Sequence, residues 1–117
     1  MIFNRHYNTF NNEHTFTNVM TNKYNNFSYE GSKALYNYLE QLEEDTGIQI
    51  EFDPVALRCE YSEYKNFEEL QQDYQDIKTL EQLRNETIVI MFNKTIEYTE
   101  LEELNSFIIH NNFYWFK

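Results

Sequence analysis

Residues 28–47 carry the marks of a complete helix with both ends specified, and this is the strongest constraint on the fold. Ser28 is a natural N-cap, Glu30 falls in the first turn where the helix dipole favours an acid, and Gly47 is a natural C-terminal stop. Leu35, Tyr38, Leu39 and Leu42 recur at i, i+3, i+4 and i+7, giving one apolar stripe over a helix at 28–45. Glu40, Glu43 and Glu44 lie mostly off that stripe and face solvent. Such a stripe requires a second layer to cover it. The rest of the chain must therefore supply a sheet or further helices.

The segments that follow read as strands and short helices. Ile48, Ile50 and Phe52 alternate with polar residues, as do Leu57, Cys59 and Tyr61, so both stretches predict half-buried strands separated by a turn at Asp53-Pro54. Asn66-Phe-Glu-Glu69 and Thr79-Leu-Glu-Gln82 resemble capping boxes. The first predicts a helix burying Phe67, Leu70, Tyr74 and Ile77; the second buries Leu80 and Leu83. Thr87–Phe92 is apolar on both faces and predicts a central strand, with a turn at Asn93-Lys94 leading to Ile96–Tyr98. Glu100–Leu104 reads as a helical turn or loop, Ser106–Ile109 as a last strand, and Phe113–Phe116 as an aromatic end. Residues 1–27, rich in Asn and Thr, form an arm without steady period, with a short strand near Thr15–Met20. An edge strand or a partner-contacting extension has this character. The expected architecture is α+β: an arm at 1–27, then an acidic domain at 28–117. Its antiparallel sheet of four or five strands packs with two or three short helices.

Charge separates these regions. Residues 1–39 hold two acids and three bases, whereas residues 40–104 hold eighteen acids and five bases, and the whole chain of 117 residues carries a net charge of -11. This balance opposes direct binding of a nucleic-acid backbone or an anionic membrane. The longest apolar run, Ile88–Phe92, is too short for a membrane span, and no signal peptide is evident at the N-terminus. The single cysteine, Cys59, fits a reducing compartment, the cytoplasm, and on the apolar face of its strand it reads as a buried, inert thiol. An aromatic content of 18% argues for a packed core despite the charge.

No arrangement of residues points to catalysis. His6, His14, His110 and Cys59 match no metal-ligand spacing, and Gly31 and Gly47 open no phosphate-cradling loop. Among twenty acids some pair always falls at a hydrolase-like separation, so no single pair is informative. No cofactor is expected. A stacking platform for single-stranded nucleic acid would need cations that the acidic region lacks.

The acidic surface itself remains. Glu40 with Glu43 and Glu44, and Glu69 with Asp73 and Asp76, fall at helical i+3 or i+4 spacings, about 5–6 Å apart. Glu51, Glu60 and Glu63 come next, and Tyr64 is placed as an exposed contact at the rim of the same patch. A solvated face that gives solubility is the bland reading. The charge, however, exceeds the magnitude of about 2–8 that solubility requires.

The stretches Phe27-Ser-Tyr-Glu-Gly31, Ala34–Gly47 and Ile50–Tyr64, continued through Phe67–Leu70, Thr87–Ile90 and Phe107–Phe113, resemble a group of small acidic proteins encoded by phages and prophages. The resemblance spans roughly residues 27–113 and transfers no functional residue. It implies a mobile-element origin and action against host defence in the host cytoplasm, as anti-CRISPR proteins and inhibitors of restriction or glycosylase enzymes act. The leading expectation is a non-enzymatic inhibitor of a host protein or ribonucleoprotein, a CRISPR effector foremost, that blocks nucleic-acid binding through its acidic surface. The alternative is a phage accessory or regulatory module that binds another protein without mimicking nucleic acid. Oligomeric state is left open.

Overall fold

A computed structural model describes residues 2–4, 9–92 and 105–113. Its elements, in order, are β1 (Ile2–Asn4), β2 (Thr9–Asn11), α1 (Glu13–Met20), α2 (Tyr29–Thr46), α3 (Pro54–Glu60), β3 (Tyr61–Tyr64), α4 (Phe67–Asp73), α5 (Leu80–Glu86), β4 (Val89–Phe92) and β5 (Ser106–His110). The class is α+β, as expected. The chain forms two compact units, residues 1–58 and 59–117, and the division falls inside α3.

In the first unit, β1 and β2 pair antiparallel with Phe3 opposite Phe10. Helix α2 begins and ends where its sequence dictates: the Ser28 hydroxyl accepts a bond from the Gly31 amide at 2.9 Å, and Gly47 closes the helix at φ 68°. Leu35, Tyr36 and Leu39 are buried, and Tyr36 and Phe52 both pack on the Phe16 ring, with centroids 5.3 and 5.1 Å away. Burying one such leucine stabilises by about 1.5–3 kcal/mol. The strand expected near Thr15–Met20 is instead helix α1. The Asn12 side chain accepts from the Thr15 amide at 2.9 Å, and Phe16 and Met20, one helical turn apart, are buried. The capping Asn and this i, i+4 pair outweigh β-branched propensity.

Two further strand expectations fail for local reasons. Residues 48–52 form only a single parallel bridge, Phe3 to Glu51, flanked by bonds from Phe3 N to Ile50 O and from Phe52 N to Phe3 O. Ile48, placed inward by alternation, is 68% exposed. Residues 54–60 are helical. The Asp53 carboxylate accepts from the Ala56 amide at 3.1 Å, Pro54 occupies the first helical position, and the turn meant to separate two strands propagates to Glu60. Leu57 is buried, but Cys59 is exposed and is not the buried thiol that alternation predicts.

In the second unit, β3, β5 and β4 form an antiparallel sheet in that order. The register pairs Tyr61 with His110 and Val89 with Ile109. The strand expected at the centre, β4, therefore stands at an edge among the described residues. The central place belongs to β5, whose Phe107, Ile108 and Ile109 are fully buried. Where four or five strands are expected, three are described in this sheet. The expected turn at 93–94, strand at 96–98 and helical turn at 100–104, with residues 114–116 of the aromatic end, lie outside the described residues. The helices α4 and α5 open on Asn66 and Thr79, whose side chains accept from the Glu69 and Gln82 amides at 2.9 and 3.0 Å. Phe67, Leu70, Ile77, Leu80 and Leu83 join Phe107, Ile109 and Phe113 in one core, with Tyr74 packed against it.

Candidate functional site

No acidic residue among the described ones is fully buried, but Glu40 and Glu43, expected to face solvent, are half-buried, and Glu40 Oε1 is shielded from solvent. The acidic charge gathers in two places, one in each unit.

In the first unit, the last two turns of α2 present Glu40, Glu43, Glu44 and Asp45, with no base in the last turn. Three of these carboxylates are tied into the fold. Glu43 Oε2 accepts from Gln49 Nε2 at 2.7 Å and from the Ile50 amide at 2.8 Å, holding the segment that leaves the helix. Glu40 accepts from the Tyr36 hydroxyl, one turn back, and Asp45 accepts from Gln41 Nε2 at 2.9 Å. Burial, followed by this bond to Glu40, holds the Tyr36 phenol well above the ordinary tyrosine range. Glu44 faces solvent. Glu40, Glu43 and Glu44 line a groove of about 360 Å³ with Gly47, Ile48 and Gln49. The exposed Ile48 gives this acidic groove one apolar wall.

In the second unit, Glu69 and Asp73 line a groove of about 500 Å³ together with Tyr64, Asn66, Glu68 and Gln72. Here Tyr64 corrects the sequence reading. It is 7% exposed, and its hydroxyl donates to Asp73 Oδ2 at 2.9 Å, so it anchors β3 to α4 instead of serving as an exposed rim contact. Burial, then the Asp73 bond, raises its phenol well above the ordinary range. Asp73 is correspondingly a structural acceptor as well as a surface charge.

The remaining candidates line neither groove. Asp76 is exposed in the turn after α4. Glu60 is exposed at the end of α3, where its carbonyl accepts from the Asn111 amide at 2.7 Å. Glu63 lies half-buried in β3 opposite Ile108. Glu51 is exposed beside β1. Sequence reasoning overlooked Glu68, although it sits in the capping box that marks α4, and it hid Ile48 inside a strand that does not form. Glu40, Glu43 and Asp73 each accept a bond that holds local structure.

Among the described residues, no group of three or more His, Cys, Asp or Glu side chains could hold a metal ion, and no helix is long and apolar enough to cross a membrane. No family model, curated protein or solved structure matches the chain.

Proposed function

We propose that this chain is a non-enzymatic inhibitor that sets an acidic surface against the cationic nucleic-acid-binding surface of a host defence complex, with a CRISPR effector as the foremost candidate. The observation that carries the reading is the electrostatics of α2. Its C-terminal end, already negative from the backbone dipole, bears Glu40, Glu43, Glu44 and Asp45 with no base in the last turn. Each acid in that last turn opposes the dipole by about 0.3–1 kcal/mol, and like charges at i+4 add a few tenths more. Glu43 and Asp45 also serve local bonds, but Glu44 faces solvent, and a position under no other demand would hold lysine or arginine there. A local conflict of this kind is typical of a contact surface, where a partner's cations supply the missing charge.

Chemically, the groove suits an arginine or lysine side chain: carboxylates for the head and Ile48 for the aliphatic stem. Residues that bind phosphates carry that same chemistry, so a protein seated on them would exclude nucleic acid. The resemblance to phage-encoded acidic proteins favours a defence complex as the owner of those residues. An immobilised chain should retain a guide-RNA-bearing nuclease from host lysate, and raised salt should release it as exposed charges are screened. Retention of proteins with no nucleic-acid-binding surface, unaffected by salt, would favour the accessory-module alternative.

A further inference from the structure

The first unit also carries a patch of opposite character. Tyr24 is 72% exposed and Val55 is 55% exposed. Lys23 places its ammonium 5.1 Å from the Tyr24 ring centroid. Arg58, one turn after Val55 on α3, donates from Nη1 to the Tyr24 carbonyl at 3.4 Å and to Asn25 Oδ1 at 3.3 Å. Two exposed apolar side chains and two exposed cations thus form one surface in a chain of net charge -11.

The loop that presents Tyr24 is firmly held. Asn22 Oδ1 accepts from the Tyr24 and Asn25 amides, both at 3.0 Å, and the buried Asn25 donates to the Val19 carbonyl at 2.9 Å. Asn26 takes φ 61°, a left-handed conformation that Asn tolerates better than most residues, while its amide bonds to the Asn22 carbonyl at 2.8 Å. Tyr24 projects from an ordered turn. A rigid exposed tyrosine flanked by Lys and Arg has the composition of an interface anchor.

We propose that this patch docks on the acidic end of α2 in a second copy of the chain, pairing two copies antiparallel along α2. The complement is present on the same unit: an exposed apolar side chain, Ile48, rimmed by Glu40, Glu43 and Glu44 in a groove. Tyr24 precedes the start of α2 and Ile48 follows its end, a helix of 18 residues and about 27 Å. Two complementary surfaces on one face of the unit satisfy each other twice across a two-fold axis, as an isologous contact requires, whereas surfaces on different faces would join copies head to tail into a ladder. Single-stranded nucleic acid is the poorer occupant, because Lys23 already covers one face of the ring on which a base would stack.

Two copies of an acidic chain also repel over long range. Screening at a Debye length of about 8 Å near physiological salt suppresses that repulsion and leaves the close pairs. Association should therefore be strongest near 0.15 M salt, the ionic strength of about that Debye length. It should weaken at both much lower and much higher salt.

The inference goes beyond the inhibitor reading but shares its acidic turn, so the test reads self-association by sedimentation velocity, separately from partner binding. The wild type should form dimers with rising concentration. Lys23→Glu and Glu44→Lys should each weaken dimerisation roughly tenfold or more, and an equimolar mixture of the two should restore it, because the swapped charges again face opposite signs. Lys23→Glu, which frees the acidic turn from the second copy, should keep or raise the affinity for the host complex, whereas Glu44→Lys lowers it, so loss of dimers and loss of inhibition are told apart. A wild type that stays monomeric throughout the salt series, a ladder of larger species, a mixture that fails to associate, or a labelled oligothymidylate retained through Lys23 would each overturn the proposal.

Discussion

Two acidic clusters of similar composition stand in opposite relation to the helices that carry them. In the first unit, Glu43, Glu44 and Asp45 occupy the negative end of α2, where the dipole opposes them. In the second, Glu68 and Glu69 occupy the first turn of α4, behind the Asn66 cap, where the dipole favours them. Glu68 and Glu69 are explained by the helix they begin, whereas on α2 Glu43 and Asp45 hold bonds within their own unit and Glu44 faces solvent against the dipole. Formal charge therefore overstates the surface available to a partner, and the functional claim rests on the α2 end.

Each unit also uses a tyrosine against one carboxylate, and these pairs carry the largest effects expected. Removing Asp73 leaves the buried Tyr64 hydroxyl without its acceptor, so Asp73→Ala should cost about 1–3 kcal/mol in chemical denaturation. Outside these pairs, Glu43→Ala removes two bonds from the exit of α2 and should cost about 1 kcal/mol. A neutral result at both positions would return these carboxylates to the solvated surface and restore the equivalence of the clusters.

Alkaline pH probes the same two pairs. The folded state holds Tyr36 and Tyr64 protonated above the ordinary tyrosine value of 10.0, while the unfolded chain releases those protons there. Their contribution to stability is thus fully present below pH 10.0 and is lost as pH rises above it. Tyr36→Phe and Tyr64→Phe should each flatten the alkaline fall in melting temperature, with phenolate absorbance as the direct monitor. An unchanged slope in both variants would remove the proposed origin.

The sharpest contrast is one of sign. Glu44→Lys should stabilise the chain by about 0.3–1 kcal/mol by relieving the end of α2, and Glu68→Lys should destabilise it by a similar amount at the start of α4. Shifts of equal sign would break the distinction between the clusters.

What the sequence reveals divides along the same lines of locality. Ser28, Asn66 and Thr79 act as caps, and Gly47 acts as a stop, because each needs only a neighbour three or four residues away. The alternation at 57–61 misleads because a short helix that buries only Leu57 satisfies the same five letters, and Asp53-Pro54 decides between them. The edge position of β4 among the described residues and the burial of Tyr64 depend on β5; the Tyr64 ring lies 5.9 Å from that of Phe107, far along the chain, a pairing no local window reports. Of the candidate site, the positions of the acids were legible, but not which of them hold bonds within the fold.

The central claim is tested most directly by displacement of labelled nucleic acid from the purified host complex, comparing the wild type with Glu44→Lys and Glu68→Lys. The account predicts that the wild type and Glu68→Lys displace it similarly and that Glu44→Lys does so at roughly tenfold higher concentration or more. Equal potency of all three, or loss confined to Glu68→Lys, would contradict it.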